Sequence, residues 1–198
     1  MTTKNEKASP VSASRRKRSA GATGASRGRT HSLASPRPVG IQTIAEHEVA
    51  HGVMRWLRGL KVTNLWVSET GGLCEGTGEE ISNEDSLLVT LAGFAWEVGP
   101  FRTAAQINLP KCRGQDFDEA RELIGKVPWM RVGPCPRNGV RMQSVDESLM
   151  RFLFKARDML IPYRDFIKEA GSILKRHGHL SAPSFAGLLR LRYPDEAS

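Results

Sequence analysis

The feature that most constrains this chain is the pentapeptide His47-Glu48-Val49-Ala50-His51. Two imidazoles four residues apart converge on one point only on an α-helix, where such positions stack on one face; on a strand they would lie about 13 Å apart. The surrounding residues carry a helical pattern of their own. Ala45, Val49, Val53, Trp56, Leu57 and Leu60 recur at helical spacing and define a buried stripe, with His47 and His51 on a neighbouring face. Thr43-Ile44-Ala45-Glu46 has the spacing of a capping box, which predicts a start at Thr43. The helix is expected to run to about Arg58, with Gly59 in the left-handed closing position.

Two histidines so placed can share a zinc ion, and the carboxylate beside the first can take a proton from metal-bound water. This is the H-E-x-x-H pattern of metallopeptidases. A catalytic zinc needs a third protein ligand and one open position. The metzincin pattern would put glycine and histidine three and six residues past His51, where this chain has Met54 and Leu57. His177 and His179, in an expected surface turn, are weak candidates. Glu97, on the next helix, is the thermolysin-like choice, and Asp116, opening a third helix, is another. Spacing alone leaves these carboxylates open.

The rest of the chain reads as an α+β arrangement, mostly helical, with one small sheet or hairpin. Leu60 to Ser68 has strand character, and Thr70-Gly71-Gly72 turns the chain toward a second strand at Leu73 to Thr77. Ser82 opens an almost wholly apolar helix that ends near Gly99-Pro100 and belongs in the centre of the core. A third helix follows Gly114, and the Pro-, Gly- and Arg-rich stretch 128–139 is expected to be a loop. Ser144-Val145-Asp146-Glu147 is a second capping box, opening a helix through Leu160. Pro162 starts or kinks the next helix, and Pro183 to Leu191 reads as a short last one.

Charge divides the chain. The net charge of +8 comes entirely from residues 1–40, which hold nine Lys/Arg against Glu6; residues 41–198 are neutral. The first forty residues hold too little apolar surface to offset their ordering entropy and are expected to be a disordered basic tail, preceding a folded domain at 41–198. The run Arg15-Arg16-Lys17-Arg18 suits weak, non-specific nucleic-acid or anionic-lipid contact, or organelle targeting. Cys74, Cys112 and Cys135 are odd in number and lack C-x-x-C spacing, which argues against a disulfide framework and a zinc ribbon and suggests a reducing, cytoplasmic setting. The longest apolar stretch, Leu87 to Trp96, is too short for a transmembrane span. No G-x-x-x-x-G-K-[ST] phosphate loop occurs, so any nucleotide-driven step would need a separate ATPase.

Residues 41 to about 191 resemble the peptidase domain of the FtsH-type AAA proteases. The similarity lies in Ile44-Ala45-Glu46-His47-Glu48-Val49-Ala50-His51-Gly52-Val53, in Leu91-Ala92-Gly93-Phe94-Ala95-Trp96-Glu97, in Gly114-Gln115-Asp116-Phe117-Asp118-Glu119-Ala120 and in the paired helices from Leu149 to Leu174. The resemblance implies an H-E-x-x-H helix bundle with His47, His51 and Asp116 on one zinc ion. It also implies Glu48 as general base and Glu97 near the site as partner to a zinc histidine. The family prefers glycine where this chain has Ala50 and a cation where it has Phe94, and these 198 residues contain no counterpart of its ATPase domain.

The expected activity is hydrolysis of peptide bonds in flexible or unfolded polypeptide segments, acting alone, as a homo-oligomer or with a separate ATPase. The strand Val62 to Ser68 is the expected acceptor of an extended substrate. The competing expectation is a non-catalytic, nucleic-acid-associated regulatory protein tethered by its basic tail. The neutral charge of residues 41–198 counts against a DNA-reading surface there.

Overall fold

The structure is a computed structural model and describes residues 40–77, 81–109, 114–134 and 139–195. Apart from Gly40, the expected tail lies outside the described residues. The elements in chain order are α1 (Ile41–Leu57), β1 (Val62–Val67), β2 (Gly72–Gly76), α2 (Asn83–Val98), α3 (Gln115–Lys126), β3 (Val132–Pro134), β4 (Val140–Met142), α4 (Val145–Leu160), α5 (Arg164–His177), β5 (His179–Ser181) and α6 (Ala182–Arg192). The mostly helical α+β class expected from the sequence is the one observed.

Helix α1 lies between α2, α5 and the sheet. That position follows from its composition, because Ala45, Val49, Ala50, Val53 and Met54 are all fully buried. Its start differs from expectation. The cap is Gly40, whose carbonyl accepts the amides of Thr43 and Ile44 at 2.8 and 3.2 Å, and no side chain caps the helix. Thr43 is exposed in the first turn, and the Glu46 carboxylate accepts from Gln42 Nε2 at 2.8 Å and Trp96 Nε1 at 3.1 Å. Glu46 is thus used to tie α1 to α2 rather than to close a capping box. At the other end Gly59 takes φ 70°, as the sequence predicts.

Helix α2 buries Leu87, Leu88, Leu91, Ala92, Gly93, Ala95 and Val98. Its cap is Ser82, which accepts the Asp85 amide at 3.1 Å. The expected Ser144 and Glu147 capping box opens α4. Leu91 is enclosed by this core, so Leu91→Ala removes its burial and leaves a cavity. The variant should lose about 2–5 kcal/mol in a denaturant titration, and a loss under 1 kcal/mol would contradict a close-packed centre.

The sheet departs from a simple hairpin. Its order is β2-β1-β5, all antiparallel, so β1 is central and Leu65 meets Cys74 on one side and Leu180 on the other. The stretch around His179, expected to be a surface turn, supplies the third strand; His179 Nε2 donates to Asn64 Oδ1 at 3.1 Å, and the ring stacks on Trp66 at 4.0 Å between ring centroids. Segment 128–139 is likewise more regular than expected. It holds a short helical turn at Pro128–Arg131 and strand β3, which pairs with β4 in a two-stranded ribbon. Among the described residues no helix is long and apolar enough to cross a membrane.

Candidate metal centre

Three elements build the site. Helix α1 presents His47 and His51 on one face, their ring centroids 4.7 Å apart. Helix α2 crosses beside them and offers Val89, Gly93 and Glu97, spaced four apart along one line of its surface. The first turn of α3 brings in Asp116.

The hydrogen bonds orient both imidazoles the same way. His51 Nδ1 lies 2.7 Å from the Val89 carbonyl oxygen, which can only accept, so Nδ1 carries the proton. His47 Nδ1 lies 2.8 Å from Glu97 Oε1 and donates to that carboxylate. The remaining ring nitrogens face Asp116 Oδ2, at 3.1 Å from His47 Nε2 and 3.2 Å from His51 Nε2. The three ligand atoms lie within 4.8 Å of one another. Two ring lone pairs and a carboxylate oxygen this close repel unless a cation lies among them, either protons on the rings or a metal ion. Nitrogen, nitrogen and carboxylate oxygen form a donor set suited to a divalent transition-metal ion, and three protein ligands leave a coordination position open. His47, His51 and Asp116 can therefore hold a metal ion. The Nδ1 contacts match the outer hydrogen bonds that fix metal-binding histidines.

Without a metal, protons take the cation's place. Burial works to lower the His47 pKa, but hydrogen bonds to Asp116 and Glu97, with the charges of Glu97 and Glu48, outweigh it and raise it to about 10. Burial likewise works against ionised Asp116, yet its bonds to His47 and His51 hold the carboxyl well below the usual range. A metal arriving at neutral pH must displace the His47 proton. Raising the pH weakens that competition, so affinity should rise about tenfold per unit from pH 6 to 8 for one displaced proton. Calorimetric titration across that range checks this, and a flat profile would show that no ring proton is released.

Glu48 is buried at 8% exposure, and burial pushes its pKa up against the lowering effect of His51 and His47. It lines a cleft of about 350 Å³ together with His51, Asp116, Val89 and the β2 residues Gly72, Leu73 and Cys74. Cys74 is a free thiol whose pKa burial pushes up to about 12; Cys112 and Cys135 lie outside the described residues.

The structure thus brings His47, Glu48, His51, Glu97 and Asp116 to one place. Glu97 sits on the Nδ1 side of His47, away from the two Nε2 atoms. His177 and His179 stay out of the cluster. The expected substrate acceptor is corrected as well. Strand β1 is paired with β2 and with β5, so its backbone is occupied over Asn64–Trp66. Among the described residues, β2 is the strand on the cleft side with an unpaired edge.

Two glycines escaped the sequence reading. A Cβ on Gly93 would lie 2.2 Å from His47 Nε2, and one on Gly72 would lie 2.4 Å from the Glu48 Cγ. Each lets a site side chain occupy space that any other residue would fill. The available signal was Gly93 itself, since a glycine inside an apolar helix costs about 1 kcal/mol against alanine and so points to close packing. Ala50 is fully buried, and Phe94 packs on Phe117 at 5.2 Å between ring centroids, so both positions are filled by apolar packing.

No protein-family model matches the chain, and a search of curated proteins found no significant match.

Proposed function

We propose that this protein is a zinc-dependent peptide hydrolase of the FtsH-peptidase type, acting on flexible or unfolded polypeptide segments. The observation that carries the reading is the shared orientation of His47 and His51. Both Nδ1 atoms are committed to fixed acceptors and both Nε2 atoms turn toward Asp116, with a buried carboxylate, Glu48, beside them. A bound zinc ion would supply a water activated near neutral pH and polarise the scissile carbonyl.

The protein's own groups carry the rest of the chemistry. Glu48 accepts a proton from the attacking water and returns it to the leaving amine nitrogen. Its burial raises its basicity in the direction a general base at neutral pH requires. Glu97 and the Val89 carbonyl hold the imidazole planes in place. The edge of β2, unpaired among the described residues, offers backbone donors and acceptors to an extended substrate beside the cleft.

Purified protein should carry about one zinc per chain and cleave casein in a reaction that a chelator stops and added zinc restores. Zinc-loaded protein that leaves casein and unfolded peptides intact would remove the peptidase reading.

A further inference from the structure

The outer face of the sheet shows a pattern that neither the core nor the metal centre explains. Side chains on a strand alternate between faces. On β2, Gly72 and Gly76 turn toward α1, where they meet Glu48 and Arg55, and Cys74 pairs with buried Leu65. Leu73 and Glu75 face the other way. Leu73 is 51% exposed and sits opposite Trp66, which is 46% exposed and stacked on His179. Side by side in solvent, these two large side chains form a small apolar patch of the kind that contact surfaces use. In the next row, Glu75 Oε2 accepts from Asn64 Nδ2 at 3.0 Å, and Asn64 Oδ1 faces His179 Nε2 at 3.1 Å. Among the described residues the Glu75 carboxylate is held by this amide rather than by a cation.

The first of these rows borders the cleft, because Leu73 lines it together with Glu48 and Asp116. A peptide laid along the free edge of β2 would extend both rows by one strand. We propose that this outer face selects the substrate, taking an apolar, preferably aromatic, side chain beside Leu73, in line with Trp66 on the next strand, and, two residues away, a lysine or arginine beside Glu75. The inference rests on the peptide-hydrolase reading and names the substrate class of that site. Alternation fixes the spacing of two, and opposite charges facing each other across strands favour the cation while like charges disfavour an acid.

The test uses labelled decapeptides in a serine and alanine background. Each carries one phenylalanine with lysine or glutamate two residues to either side. Binding is read by fluorescence anisotropy on full-length Glu48→Gln protein, which traps uncleaved peptide, and cleavage is read on the zinc-loaded wild type. The lysine peptide should bind about tenfold more tightly than its glutamate counterpart, the combined result of one attractive and one repulsive cross-strand pair. Adding Glu75→Gln, which preserves an acceptor for Asn64, should erase the preference, and Glu75→Lys should invert it. Leu73→Ser should weaken all phenylalanine peptides while keeping the lysine preference. A preference that persists unchanged in Glu75→Lys, or is absent from the start, overturns the inference. Cleavage without any such preference sinks this inference alone. Preference in binding with no cleavage sinks the hydrolase reading and leaves a peptide-binding surface.

Discussion

Glu48→Gln is expected to reduce peptide hydrolysis roughly a hundred- to ten-thousand-fold while leaving metal content at the wild-type level. The amide keeps the size and shape of the carboxylate, so it should still pack against Gly72, where the Glu48 side chain already fills the space a Cβ would need. It should not disturb the metal ligands, because the ring nitrogens face Asp116 and hydrogen-bond Glu97 and Val89 rather than Glu48. What it loses is the capacity to accept a proton at neutral pH. Elemental analysis beside a fluorogenic peptide assay separates the two properties. Activity within a few-fold of wild type would remove Glu48 from the chemistry, and a parallel loss of metal would make its role structural.

The second large effect is expected at a residue with no functional group. Gly93→Ala places a methyl carbon where His47 Nε2 now lies, 2.2 Å away, in a fully packed helix that cannot easily retreat. The imidazole must therefore swing away from Asp116, and metal affinity should fall at least 10- to 100-fold, the range seen when groups that orient metal ligands are lost. Alanine is the better helix former by about 1 kcal/mol, which opposes any loss of fold stability from the crowding. The diagnostic result is therefore a variant that melts near the wild-type temperature yet fails to retain metal. Normal metal retention would show that the His47 ring is not confined by α2.

Legibility in the sequence followed the length of the pattern. Helices α1, α2, α4 and α5 each repeat an apolar stripe over several turns, and the hairpin is marked by Gly71-Gly72, so these elements were readable. Strands β3, β4 and β5 have three residues each, too few for alternation to appear. Their pairing is a tertiary property. The third strand matters for the site, because only with His179–Ser181 in place is β1 central, which leaves β2 as the cleft-side edge among the described residues. The start of α1 differs from the sequence pattern for a related reason: the Thr43 and Glu46 pair has capping-box spacing, but Trp96, fifty residues away, claims the glutamate.

The site shows the same division. His47 and His51 follow from spacing on one helix, whereas Asp116 joins them from a different helix 69 positions from His47, a distance that no local pattern spans. In the sequence only the resemblance to the FtsH-type peptidases favours Asp116 over Glu97. The two carboxylates lie on opposite sides of the His47 ring, Glu97 at Nδ1 and Asp116 at Nε2.

That arrangement makes metal retention the most direct measurement. Zinc content should be compared after identical dialysis of wild type, His47→Ala, Asp116→Ala and Glu97→Ala. Removing Asp116 should empty the site about as completely as removing His47, since either change leaves two protein ligands. Removing Glu97 should weaken retention by the roughly 10- to 100-fold expected of a group that orients a ligand. Full zinc in Asp116→Ala together with its loss in Glu97→Ala would contradict the His47, His51 and Asp116 ligand set.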